Sequence, residues 1–292
     1  MPDRGSPSVR GRRLAAELRR LRESAGMTGE QVAQRLGWSG SKLSRIERHQ
    51  IGVKQADLRG LLDLYRIDEA HCEELLALGA ESKQKSWLEV ITASFPPENA
   101  AYFHAEAEAQ SIWNWEPQVI PGLLQTPEYA RAVMQLWLAM FPGPQKEADR
   151  RVEARLVRQQ VLTRDPPLDL SVVIDESVLR RRFGDTMVMH QQLGRLIEAS
   201  ELPNVQLRVY PLAGAHSSLT TGAFSYMQFL HVHDVPLNDI VSVEHLEGSY
   251  YLEEEEDTFR YKVAFEYLAG KALDQEQSRA LIMATAEEAW PP

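Results

Sequence analysis

Along residues 12–78, apolar positions recur at helical spacing in short blocks, each broken by glycine or a polar cap. LAAELRRLRESA predicts a first helix, which Gly26 can close in a left-handed cap. Met27 then precedes Thr28, and Gln31 follows three residues on, the pattern of a capping box for a helix over 28–36. Met27 and Val32 sit at staple spacing across that cap. The device recurs one helix later, with Ser39 as N-cap between Trp38 and Leu43. The stretch Leu36-Gly37-Trp38-Ser39 is too short to do anything but turn the chain sharply. Ala33 is small where two helices must cross closely, and Val32, Leu36, Leu43 and Ile46 supply buried faces. The pattern is that of a helix-turn-helix. LRGLLDLYRI and DEAHCEELLAL predict a fourth and a fifth helix.

AESKQKS, residues 80–86, is polar and predicts a linker between a domain at 1–79 and one at 87–292, opened by Trp87. The first ten or so residues read as a disordered basic start. Beyond the linker, Pro121-Gly122 predicts a turn, and Thr126 with Pro127 predicts an N-cap and first helical position. Ala130, Val133, Met134, Trp137 and Leu138 follow as a core-facing stripe. A helix over about 147–164 puts Arg151, Arg155 and Arg158 on one face, with Glu147 four residues before Arg151, so a solvated and partly paired face is expected. An anion or acidic-partner site is the sharper alternative.

The period then changes. LDLSVVIDE, NVQLRVYPL, GAFSYMQFLHV and DIVSVEHLEGSYYLEE carry β-branched and aromatic runs, the last as a hairpin turning at Gly248-Ser249. Helices are predicted at DESVLRRRFG, at about 186–200, 258–268 and 274–288. The expected fold is α+β: an all-α five-helix N-terminal domain, and a mixed C-terminal domain with an antiparallel-leaning sheet. Strand order is not readable from the pattern. The acidic run Glu253–Asp257 is expected to be solvated.

Charge is unevenly shared. Residues 1–66 hold fourteen Lys/Arg against seven Asp/Glu, a net of +7, so the remainder of a chain of net charge −10 carries −17. A basic segment joined to an acidic domain fits a polyanion-binding module attached to something else. Cys72 is the sole cysteine, which excludes an intrachain disulfide and a cysteine-based zinc site. No apolar run reaches a membrane-spanning length, and the start lacks the apolar block of a secretory signal, so a cytoplasmic protein is expected.

Thr28, Gln31, Ala33, Leu36, Gly37, Ser39, Leu43, Ser44, Arg45, Ile46 and Glu47 together resemble the helix-turn-helix of the Cro and phage-repressor type, also called the xenobiotic-response-element family. The resemblance implies that the second helix of the motif lies in the DNA major groove. Gly40, Ser41, Lys42 and Arg45 would then face base edges, with Arg45 suited to guanine O6 and N7. Thr28, Ser39, Arg48 and Lys54 would hold phosphates. Glu47, which would repel phosphates, is implied to pair with Arg22 instead.

PQVIPGLLQTPEYARAV, ARLVRQQVL, VVIDESVLRRRFG and VSVEHLEGSYYLE resemble the C-terminal domain of actinobacterial antitoxin-like regulators. That resemblance implies binding of an effector or of a small protein encoded alongside, and brings no catalytic residue. The chain has no Gly-rich phosphate loop, no GxSxG and no HExxH. His231, His233, His216, His245 and Glu244 are conceivable metal ligands, but their spacing is nonspecific. No metal, no cofactor and no enzymatic activity is expected. The expected function is a DNA-binding transcriptional regulator acting as a homodimer on a pseudo-palindromic operator in the nucleoid, with residues 87–292 supplying dimerisation through aromatic content beyond one sheet face's needs. The alternative is an antitoxin-like module that sequesters a partner and autoregulates its operon.

Overall fold

The computed structural model describes residues 9–81, 95, 97–214, 222–229, 239–245 and 248–292. The chain divides into two compact units, the first ending at Glu108 and the second beginning at Ala109.

The first unit contains α1 (Val9–Ser24), α2 (Gly29–Leu36), α3 (Gly40–Glu47), α4 (Gln55–Tyr65), α5 (Glu69–Glu81) and α6 (Pro97–Glu108). Ala80 and Glu81, at the start of the predicted linker, belong to α5, and 82–86 lie outside the described residues. The capping box is present at α2: Thr28 Oγ1 accepts from Gln31 N, and Thr28 N donates to Gln31 Oε1 at 2.9 Å. Gly26 and Gly37 adopt φ of +67° and +66°. At that geometry a Cβ is strained, and it lets Trp38 N reach back to Ala33 O at 2.8 Å, turning the chain from α2 into α3. Leu14, Leu18 and Leu21 of α1 meet Val32, Leu43 and Ile46 of α2 and α3, and Leu58, Leu61 and Leu62 of α4 close the same core. Cys72 is buried in it.

The second unit is built on a six-stranded mixed sheet in the order β3-β2-β1-β4-β5-β6. The strands are β1 (Ser111–Glu116), β2 (Asp169–Asp175), β3 (Val205–Tyr210), β4 (Phe224–Gln228), β5 (Ile240–His245) and β6 (Gly248–Leu252). β1 pairs parallel with β2, and β2 with β3, whereas β1/β4, β4/β5 and β5/β6 are antiparallel. Connection length decides this. Parallel neighbours need helical crossovers, supplied between β1 and β2 by α7 (Pro127–Met140) and α8 (Gln145–Arg158), and between β2 and β3 by α9 (Glu176–Arg180) and α10 (Thr186–Ala199). α11 (Glu255–Lys271) and α12 (Gln275–Ala289) complete the unit, and the acidic run supplies the first turn of α11.

Strand alternation divides the side chains of β1 between the two faces. Trp115, with Trp113 packed beside it, joins Val173, Tyr210, Phe224, Tyr226 and Val241 against Phe265 and Leu268 of α11. Trp113 stacks on Tyr226 and Phe265 at centroid distances of 5.4 and 5.3 Å. The opposite face carries Ile112, Asn114 and Glu116. The predicted α7 stripe packs on α8: Ala130 and Met134 are buried against Ala148 and Val152, with Val133, Trp137 and Leu138 beside them. Thr126 caps α7 by accepting from Tyr129 N at 3.2 Å.

Two expectations need correction. Gly248 and Ser249 are strand residues of β6, paired with His245 and Glu244, so they do not form the turn. The arginine face of α8 is not solvated: Arg158 is only 8% exposed, and Arg155 Nη1 and Arg151 Nε are buried. The Glu147–Arg151 pair, at 2.9 Å, keeps the expected arrangement. The helix turns that face inward because its apolar residues alone do not define the buried side.

Candidate nucleic-acid interface

α3 is short, so its outward face is set by what its inward face does. Leu43 and Ile46 are buried, which leaves Ser41 and Arg45, four residues apart, exposed on one side with Gly40 at the first position. Ser39 is the N-cap of α3 but makes no side-chain cap bond, so the helix does not use its hydroxyl. The N–H groups of the first turn therefore stand at one end of α3, and the Arg45 guanidinium in its last turn is exposed on the same side as Ser41, so anion and base-edge contacts are offered along one face.

Glu47, at the other end of α3, is held by α1. Arg22 donates from Nε to Glu47 Oε1 at 2.7 Å and from Nη2 to Oε2 at 3.1 Å. Its Nη1 donates to Met27 O at 3.0 Å, tying the pair to the entry of α2. Hydrogen bonding to Glu47 raises the Arg22 pKa against the cost of burial. The buried Tyr65 hydroxyl, beside the same pair, is pushed above its usual range chiefly by burial.

Lys42 is engaged inside the unit. Its Nζ lies 2.9 Å from Asp57 Oδ2 in the first turn of α4 and 3.9 Å from the centroid of the Trp38 ring. Asp57 was missed as a partner of Lys42 because it lies on α4, whereas Trp38, four residues before Lys42, is within local reach and reads in the sequence only as a staple residue. Arg48 and Lys54 are exposed, at the C-cap of α3 and the N-cap of α4. Thr28 is exposed too, but its oxygen is occupied by the cap, so only its hydroxyl proton remains to be donated outward. Arg35, in the last turn of α2, adds an exposed cation within the motif.

His216, His231 and His233 lie outside the described residues, and among the described residues no three His, Cys, Asp or Glu side chains are placed to hold a metal. Nor is any described helix long and apolar enough to cross a membrane.

Comparison with known families separates the two parts. Residues 13–75 match the model of a helix-turn-helix domain. Residues 100–284, well over half the chain, match a family described as Domain of unknown function (DUF5753). The chain belongs to that DUF5753 family. No curated protein and no solved structure matches it. The helix-turn-helix domain marks this member of the family as a DNA-binding regulator.

Proposed function

We propose that the chain is a sequence-specific transcriptional regulator rather than an enzyme, and that it reads an operator with α3 as a cytoplasmic, nucleoid-bound homodimer. The observation that carries this reading is the locking of α3 through Glu47 to Arg22, which leaves Ser41 and Arg45 facing outward on one side of a helix whose N-terminus is exposed. Preorganised donors of this kind contact DNA without having to be ordered on binding.

One such module covers little DNA, so specific binding calls for two, on half-sites about one helical turn apart. Trp113 and Tyr226 of the sheet and Phe265 of α11 pack on one another inside the unit, so they are not the aromatic residues that meet a second copy. Phe259 and Val263 on α11, four residues apart and 60% and 47% exposed, support self-association better. The same stripe suits the second reading, in which the acidic domain sequesters a small partner protein encoded alongside.

The test is a selection from genomic DNA with the purified full chain, followed by footprinting. A protected pseudo-palindrome is expected. Recovery of no enriched sequence would overturn the reading.

A further inference from the structure

β1 and β5 run in the same direction with β4 between them, so Glu116 and Glu244 stand at neighbouring carboxyl ends of the sheet. β1 is also where the sheet changes character, pairing parallel with β2 on one side and antiparallel with β4 on the other. One row further in, the register sets Asn114 opposite Ser225 and Ser225 opposite Ser242, all on the face away from the tryptophans.

This row is polar in the interior of a sheet. Asn114 is 6% exposed and Ser242 2%. Asn114 Nδ2 donates to Phe224 O and Ser225 Oγ, each at 3.1 Å, while Asn114 Oδ1 and Ser242 Oγ are buried with no hydrogen-bond partner in the protein. From α8, Arg155 comes near Glu116 and Glu244, and its Nη1 is likewise buried without a partner. Buried polar groups are nearly always paired, so an acceptor, a hydroxyl and a guanidinium N–H left without partners on one end of the sheet call for a molecule that supplies the complement. Glu116 is half-buried, whereas Glu244 is exposed, so the cluster opens outward at Glu244. Burial first, and then the charge of Glu244, raise the Glu116 pKa to about 8, so near neutral pH Glu116 is largely an uncharged donor. Burial and the neighbouring Arg158 bring Arg155 down to about 10, so it stays cationic.

The complement of these groups is an anion for Arg155, with hydroxyls for Asn114 Oδ1 and Ser242 Oγ, which stand two strands apart. Two strand spacings are about 10 Å, the reach of a short polyol bearing one terminal anion. We propose that the Asn114–Ser242 row and Arg155 form a binding site for a small hydroxyl-bearing anion, either a sugar phosphate or a sugar acid. Arg155 holds the anionic group, and Asn114, Ser242, Glu116 and Glu244 hold the hydroxyls. The proposal deepens the effector reading of this domain, but binding is read without DNA, so the two fail separately.

The experiment is calorimetric titration of the full-length chain at about pH 6.5, below the Glu116 pKa, with ribose 5-phosphate and with gluconate. Ribose and inorganic phosphate serve as component controls. The expected result is that one of the two anions binds at least about tenfold more tightly than either control, and which one it is separates a sugar phosphate from a sugar acid. Arg155→Met and Asn114→Leu should each abolish that binding with the far-UV spectrum intact. Glu244→Gln, at an exposed position where misfolding is not at issue, should change affinity for the anion without changing the thermal transition. Absence of binding by both anions at millimolar concentration overturns the proposal, as does binding that all three variants leave unchanged. Binding with no effect on operator affinity supports the site and removes only its regulatory role.

Discussion

Arg22 on α1 and Glu47 at the end of α3 form a two-point ion pair, 2.7 and 3.1 Å, between side chains only 14% and 10% exposed. The fork geometry of the guanidinium fixes direction as well as distance, so the pair sets how α3 is rotated on α1. On the proposed reading of DNA by α3, it also removes a carboxylate that would face phosphate. Removing one partner leaves a largely buried charge uncompensated, which is costlier than removing both. Arg22→Ala should therefore cost about 2–3 kcal/mol in urea unfolding, and Arg22→Met with Glu47→Leu clearly less than the sum of the single changes. Additive losses would show that the pair does not act as a unit.

The recognition face predicts a contrast between neighbouring arginines. Arg45→Ala should lose about 1–3 kcal/mol of operator affinity and relax preference at one base position. Arg48→Ala should weaken operator and random DNA alike. A competition assay with a permuted operator set separates the two, and equal losses on every sequence from both variants would remove Arg45 from base reading.

Lys42 offers a third test, because Asp57 holds it inside the unit. With Lys42 so engaged, roughly four phosphate contacts remain per protomer, and log K should fall with log[salt] at a slope of about −3.6. Asp57→Asn frees the ammonium and should steepen the slope by about one, measured by anisotropy across a salt series. A slope unchanged in that variant means that Lys42 never reaches phosphate.

Glu116 makes stability depend on pH. Its folded pKa, about 8, lies above the ordinary 4.5, so the native chain holds a proton that the unfolded chain releases. The contribution is complete below about pH 4.5 and is lost as pH rises through about 8, at up to about 1.4 kcal/mol per unit. Facing Glu116 are Glu244 from β5, Arg155 from α8, Asn114 from its own strand and Tyr129 from α7. The thermal midpoint of the second unit should fall between about pH 5 and 8, and Glu116→Gln should flatten that fall. An identical slope in the variant would assign the dependence elsewhere.

Self-association through α11 is tested by charge. Phe259→Lys together with Val263→Glu should turn a sedimenting dimer into a monomer and lower operator affinity, leaving the far-UV spectrum unchanged. A wild-type monomer, or a variant that stays dimeric, would dismiss this face.

The helix-turn-helix was legible from residues because its signals are local. The cap at Thr28, the left-handed glycines and the apolar spacing all act within a few positions, and backbone sterics and hydrogen bonding settle them before any distant contact forms. The α7 stripe was legible for the same reason. β1 was not, because SIWNWE buries side chains on both faces: Trp113 and Trp115 pack towards α11 while Ile112, Asn114 and Glu116 face the other way. A strand used on both sides shows no clean alternation of apolar and polar residues, so the central strand of the sheet left no period to detect. Nor could the fate of Arg151, Arg155 and Arg158 be read. Helical spacing placed them on one face, but whether that face meets water depends on where α8 docks, and docking brought it to Glu116, 39 residues before Arg155 in the chain. Local chemistry determined the DNA-facing module; the polar row on the sheet exists only because strand register gathers Asn114, Ser225 and Ser242 from across more than a hundred residues of chain, and no short-range rule encodes such a convergence.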